Sequence, residues 1–359
     1  MEDALDNVIR RGRGRNGIDH NLVRGIILND IFVNPVVNPI QDPVLQFDLD
    51  NMEDKYVKLN FRFQREDLIR LAVALGIPEQ IKTRSRHSSG GLEGLCILLR
   101  RLAYPSRLCD LEQLFRRSAT SISEISNYVN NHIYRNHGYL LRDLGNLPWL
   151  NREKLSAYSN SIAAKGAAVQ NCWGFIDGTA RPICRPTELQ EEYYSGHKRV
   201  HCLKYQSLIC PDGIIVSLLG AYSGRRHDAF IFGQSGLYTQ LERKCTFPDC
   251  IYVIYGDQAY GIRELLLCPY PGRGITEQQQ NFNLSMSVTR QAVEWGFQKI
   301  ISQFAFLDFK KNQKLLLQEV ELMFKTAVLL CNCHTILYGS ETAQFFNIEP
   351  VSLEEYLNL

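Results

Sequence analysis

Cys172-Trp173-Gly174-Phe175-Ile176-Asp177-Gly178-Thr179 is an apolar run that ends in an acid and a glycine. Its length and its aromatic and β-branched content predict a buried strand, with Asp177 at the strand's end. Two more strand-like runs follow at His201–Cys210 and Gly213–Tyr222, joined by the turn Pro211-Asp212-Gly213, which reads as a hairpin. Asp228–Leu241 reads as helical. Ile251-Tyr252-Val253-Ile254-Tyr255 is a fourth strand, closed by Gly256-Asp257. Pro269–Phe282 is rich in Pro, Gly and Gln and reads as a loop, and helices run from about Ser287 to Leu337. Three strands, a helix, a strand and then helices predict an α/β layer fold.

Upstream the periodicity is helical. Phe63, Leu68, Leu71, Ala72 and Leu75 fit one amphipathic helix stopped by Gly76 and Pro78. Leu92, Leu95, Leu99 and Leu102 predict a second, and Leu108, Leu111, Leu114 and Phe115 a short third. Ile122, Ile125, Val129 and Ile133 predict a fourth over Ser121–Tyr134, with Ser121 and Glu124 as its capping-box pair. The break Arg116–Thr120 has the length of a helix-turn-helix connection. Eight Lys/Arg against three Asp/Glu between Lys82 and Arg117 make this stretch locally basic. With Arg116 and Arg117 for phosphates and Asn127 and Asn131 for base edges, the region reads as a DNA-binding unit or, equally simply, as a helical cap on the second domain.

The chain has 359 residues, 45% hydrophobic and 22% charged, which fits two domains and excludes a disordered or collagen-like chain. Its formal net charge of +2 announces no global basic field. Eleven cysteines, an odd count without a CxxC pair, argue against a disulfide framework and a zinc ribbon, so reduced, mostly buried thiols are expected. Cys331-x-Cys333-His334 is a poor zinc motif, because thiols one residue apart on a helix point in nearly opposite directions. No apolar h-region opens the chain, and no apolar run approaches ~18 residues. A soluble intracellular protein without membrane contact is therefore expected. Arg10-Arg11-Gly12-Arg13-Gly14-Arg15 reads as a nuclear-import signal, a phosphate-binding arm or a solvated tail.

The acids carry the chemistry. Asp177 and Asp257 end neighbouring apolar strands, where ligands collect in α/β sheets. Glu294 lies beside the apolar face formed by Val293, Phe297, Ile300, Ile301 and Phe304, where a carboxylate is costly to bury unless paired or metal-bound. Asp228, in Gly224-Arg225-Arg226-His227-Asp228, stands at a strand-to-helix junction. Acids held on rigid elements can bind Mg²⁺ or Mn²⁺, and two such ions clamp both oxygens of an in-line phosphoryl displacement. Singly, each acid reads as well as a helix cap or a loop hydrogen-bond acceptor. His197, Lys198 and Arg199, with His201 and Lys204, form a basic stretch that reads as a grip on DNA phosphates or a solvated strand edge. Tyr193 and Tyr194 read as base-stacking or core residues.

The chain resembles the PIF/Harbinger superfamily of DDE transposases. The resemblance lies in Gly174–Thr179, Tyr193–Lys198, Gln206, Pro211-Asp212-Gly213, Gly224 with His227-Asp228, Gly256-Asp257 with Ala259-Tyr260, Pro269-Tyr270, and Arg290 with Val293-Glu294 and Phe297. It covers about 170–340 well and 60–140 loosely. Departures are Gln298 where the family often has Gly, Ile301 where it often has Lys or Arg, and Cys331-Asn332-Cys333-His334 where many members carry His-Asn.

The resemblance implies a ribonuclease H-like mixed sheet flanked by helices, preceded by an all-α helix-turn-helix-like region. The expected division is an irregular arm over 1–55, a helical DNA-binding domain over 56–150, a nuclease domain over 165–340 and a tail over 341–359. Asp177, Asp257 and Glu294 match the catalytic acids, with Asp228 as a further candidate metal ligand. The resemblance further implies two divalent ions, Mg²⁺ or Mn²⁺, cleavage of transposon ends and joining of 3′-hydroxyls to target DNA. It also implies a nuclear location, a homo-oligomer on DNA and a Myb-like partner protein. The alternatives are a domesticated, catalytically silent DNA-binding or adaptor protein, and a metal-dependent nuclease without strand transfer.

Overall fold

A computed structural model describes residues 47–359 apart from positions 273 and 316, and leaves out the side chains of Ala292 and Val293. The arginine run at 10–15 and most of the N-terminal arm lie outside the described residues. In chain order the elements are α1 (Asp54–Phe61), α2 (Arg65–Ala74), β1 (Gln80–Lys82), β2 (Ser88–Gly90), α3 (Gly91–Ala103), α4 (Leu108–Phe115), α5 (Ala119–His137) and α6 (Arg152–Ala163). Then come β3 (Cys172–Pro182), α7 (Gln190–Tyr193), β4 (Tyr194–Ser195), β5 (Val200–Ile209), β6 (Ile215–Ser223), α8 (Asp228–Gln234), α9 (Leu237–Cys245), β7 (Val253–Tyr255) and β8 (Leu266–Leu267). The chain closes with α10 (Glu277–Gln303), α11 (Val320–Tyr338), α12 (Glu341–Phe346) and α13 (Leu353–Leu357).

The main sheet is mixed. β3 is central, antiparallel to β5 on one edge and parallel to β7 on the other. β8 adds parallel to β7, β6 adds antiparallel to β5, and β4 pairs with the start of β5. Helices flank this sheet, as a ribonuclease H-like fold requires. Gly213 sits at φ +85, the left-handed backbone that closes the Pro211-Asp212-Gly213 turn between β5 and β6. Asp212 beneath that turn is fully buried. Its carboxylate accepts the Tyr158 hydroxyl of α6 and the Ile214 amide at 3.0 Å, which ties the hairpin to the helix.

Several boundaries differ from the sequence reading. The first predicted helix forms as α2, and an unpredicted helix, α1, precedes it, ended at Arg62, whose φ of 70 cannot continue a helix. Gly236, at φ 65, likewise splits the helix expected after Asp228. The expected loop at 269–282 is helical from Glu277, where Thr276 and Gln279 form a capping box that overrides the Gln-rich composition. Helix α5 is capped by Ser118, which accepts the Ser121 amide, so Ser121 is not the cap. Glu124 instead accepts the Thr83 and Ser85 hydroxyls, each at 2.7 Å.

The helical segment and the sheet share one apolar core. Helix α3 is buried on nearly every side, from Leu95 through Leu99 to Leu102. Helix α5 packs on α3 through one face and on α11 through another, where the Thr326 hydroxyl donates to the Asn130 carbonyl. Of the described helices, only α11 is long and apolar enough to cross a membrane, and 72% of that stretch is buried inside the fold. Asn332 on α11 pairs with both backbone groups of Ile215 and donates to the Tyr356 hydroxyl, so it anchors the start of β6. Cys331 and Cys333 are buried in the same helix, and the described cysteines are all free thiols. Residues 341–359 form α12 and α13, which bury Phe346, Leu353, Tyr356 and Leu357.

His334, on α11, is 9% exposed and packed between Phe63 and Tyr338. Burial, with the charges of Lys299 and Lys58 adding to it, pushes its pKa down to about 3. The unfolded chain titrates this imidazole near ~6.5. Below that pH the unfolded state takes up a proton that the folded state refuses, so stability falls as pH drops from ~6.5 toward 3. The slope from this one group is about 1.4 kcal/mol per pH unit. Urea denaturation at a series of pH values should show a shallower acid loss in His334→Phe than in the wild type.

Candidate active site

The register of the sheet sets the site. The last parallel pair of β3 and β7 is Phe175 with Tyr255. Two residues further on each strand stand Asp177 and Asp257. A two-residue step returns side chains to the same face, so both acids emerge side by side where the parallel pair ends. β3 itself runs on to Pro182, so Asp177 lies within the strand, opposite Ser207, and is not its last residue as expected. Asp257 opens a short 3₁₀ turn, and its carboxylate accepts the Gln258 amide at 2.6 Å.

Asp228, first residue of α8, joins them. A Cβ built on Gly178 would stand 3.1 Å from the Asp228 carboxyl carbon, so the absent side chain at 178 is what admits this third acid. Lys204 of β5 approaches Asp228 at 3.5 Å and donates to the Arg226 carbonyl at 2.6 Å.

The electrostatics record the crowding. Burial pushes the Asp177 carboxyl up to about 6. Arg290 and the Gly178 amide oppose that rise, while the negative charges of Asp257 and Asp228 add to it. Arg290, on α10, stands 3.6 Å from Asp177. Tyr260 is buried with its hydroxyl unpartnered among the described residues, and burial and the same three aspartates hold its proton on. Arg290 and Tyr260 lie inside motif blocks visible in the sequence, but nothing in their spacing marked them as site residues.

Glu294 is not joined to this group. It is exposed, and among the described residues it makes no hydrogen bond or ion pair. The expectation of a carboxylate pressed against a buried face is thereby corrected. The buried stripe of α10 runs through Met286, Thr289, Phe297 and Ile300, and Glu294 falls off it. It shares a helix side with Arg290, one turn or about 5.4 Å further along.

An all-oxygen donor set with uncompensated negative charge suits a hard divalent cation in kind. Among the described residues, however, no three His, Cys, Asp or Glu side chains gather closely enough to hold an ion as they stand.

The residues expected to touch DNA fall into two groups. Arg117 is engaged within the fold: it pairs with Glu93 at 2.6 and 2.8 Å and donates to the Ser88 carbonyl. Asn131 donates to Glu319 at 2.7 Å and to the Asn127 carbonyl. Arg116 and Asn127 are exposed. His197, Lys198 and Arg199 are all exposed, in the turn between β4 and β5. Tyr193 packs against the core, and Tyr194 is 41% exposed with its ring edge-on to His201.

Arg117→Ala should therefore destabilise the fold by about 1–3 kcal/mol, since it leaves a half-buried Glu93 without its bidentate partner. Arg116→Ala should stay within about 0.5 kcal/mol of the wild type. Denaturant titration of both variants checks the contrast.

Comparison with known proteins agrees with this geometry. Residues 176–332, which run from just before Asp177 to Asn332, match the family model of the DDE superfamily endonucleases. The chain is 20% identical over 276 residues to Protein ALP1-like of Arabidopsis thaliana, covering 74% of this chain and 64% of that one. The chain thus spans just under two thirds of that curated relative's length. No solved structure matches. The family match over residues 176–332 and the relative together support a DDE transposase of PIF/Harbinger type.

Proposed function

We propose that this chain is a metal-dependent DNA endonuclease of transposase type, which cuts DNA at transposon ends and joins the 3′-hydroxyls to target DNA. The observation that carries the reading is the convergence of Asp177, Asp228 and Asp257 beyond the parallel pair β3–β7. Asp177 and Asp257 would share two divalent ions, Mg²⁺ or Mn²⁺, with Asp228 beside them, while Glu294 on α10 stands outside this set. When bound, such ions polarise the scissile phosphate and activate the attacking water or 3′-hydroxyl. The chain's own part is to hold the carboxylates fixed. Arg290 holds Asp177 in place by charge, Lys204 holds Asp228, and the Gly178 and Gln258 amides fix one oxygen each of Asp177 and Asp257. In this reading the substrate is DNA, the setting is the nucleus, and the working form is a homo-oligomer on DNA with a Myb-like partner protein.

A second reading rests on a specific observation. Glu294 is exposed and apart from the aspartates, while Arg290 supplies the positive charge beside Asp177. That arrangement favours a DNA-binding or adaptor protein that keeps the fold without cleaving.

Asp257→Asn separates the two. Asp257 is exposed, so the substitution leaves the core intact. Cleavage of duplex DNA with Mg²⁺ or Mn²⁺ should fall about 100-fold or more, because a carboxylate ligand is lost. Duplex affinity on the same preparation should hold within about twofold, because phosphate binding depends on basic groups elsewhere. Equal cleavage by wild type and variant sinks the metal reading. Cleavage by neither, with binding intact, selects the silent one. Joined strands among the products distinguish a transposase from a plain nuclease.

A further inference from the structure

We infer that the turn Arg225–Phe230 forms a subsite for single-stranded DNA, with phosphates on Arg225 and Arg226 and one base on Phe230. This inference rests on the reading of DNA as substrate and names the part of the strand held next to the acids. Phe230 is 44% exposed, although Ile231 and Phe232 beside it are buried. The Arg226 guanidinium lies 4.9 Å over the Phe230 ring, which holds that aromatic face in a cationic setting. Arg225 and Arg226 are both exposed. Among the described residues, neither they nor Lys198 and Arg199 have an acidic partner, whereas Arg117, Arg181 and Arg243 each have one.

The backbone seats this turn at the base of the β4–β5 hairpin. The Arg225 amide donates to the Glu192 carbonyl at 3.0 Å. A Cβ on Gly224 would stand 2.2 Å from the Tyr193 carbonyl, so only glycine lets the turn seat against the hairpin. Lys204 bridges the Arg226 carbonyl and Asp228, which places the ledge next to the carboxylate cluster. Glu191 and Glu192 flank it and limit how far the cationic surface extends.

The chemistry selects an unpaired strand over a duplex. A base in a duplex shows its edges, and its faces are taken by neighbours. An exposed ring backed by a guanidinium offers a stacking face, which needs an unstacked base. The free cations Arg225 and Arg226 beside it follow a phosphate backbone with no base preference.

The test measures binding of the full chain to a 20-nucleotide single strand and to its duplex, each carrying one 2-aminopurine. Phe230→Ala should weaken single-strand binding by about tenfold and abolish the change in 2-aminopurine fluorescence. Duplex affinity should stay within about twofold of wild type, and Phe230→Trp should restore single-strand binding. Arg225→Glu with Arg226→Glu should weaken both and lower the salt dependence by about two phosphate contacts. Single-strand affinity and fluorescence unchanged in Phe230→Ala overturn the subsite, even if Asp257→Asn behaves as an endonuclease variant. Loss of cleavage dependence on Asp257 with the Phe230 effects intact overturns the endonuclease reading and leaves the subsite standing. Tighter binding of an RNA strand of the same sequence overturns DNA as the ligand.

Discussion

Like charges repel, and this fold forces three aspartates together. The register of β3 and β7 puts Asp177 and Asp257 side by side, and the missing side chain at Gly178 lets Asp228 close in from α8. Such an arrangement costs free energy that the rest of the molecule must offset. Part of the offset is local, from Arg290, Lys204 and two backbone amides. The remainder comes from the core, which holds β3 between two partners so that the acids cannot move apart. Sites that concentrate unbalanced charge on rigid elements are where function is found. Here the charge is negative and the neighbouring ledge is positive, which suits a phosphodiester lying between them.

The helical layer serves that rigidity. Helix α5 is gripped by α3 and α11, and α11 in turn fixes β6 through Asn332. Arg62, at the break between α1 and α2, donates to the Gln303 carbonyl at the end of α10 and to the Ala103 carbonyl at the end of α3. Helix ends with unsatisfied carbonyls are thereby closed by one half-buried guanidinium. The same contacts that stiffen the sheet occupy much of α5, whose outer asparagines read as base contacts from sequence. Asn131 meets Glu319 instead, so the face of α5 toward α11 belongs to packing.

The elements that stood out in the sequence are those with strong local signals. The β3 run, the Pro-Asp-Gly hairpin, the leucine-rich α3 and the short α4 formed where period and turn chemistry predicted. Errors arose where a single backbone residue overrode composition. Gly236 in a left-handed conformation broke a predicted helix, and the Thr276 capping box carried α10 into a segment whose composition reads as loop. Such effects involve one dihedral or one hydrogen bond, too small to alter a periodic pattern.

What the sequence determined by itself was local: which runs are apolar, where turns close, and that Asp228 and Asp257 stand at junctions of strand with turn or helix. Only the tertiary structure decided who meets whom. It joined Asp228 to the other two aspartates through the space left by Gly178, and brought Arg290 and Tyr260 into the site. It also left Glu294 facing solvent one turn beyond Arg290, and seated Arg225 against Glu192 at the base of the β4–β5 hairpin. The reason is that a side chain's chemistry is written at one position. Its neighbours are set by register and by helix rotation, which depend on the packing of the whole core.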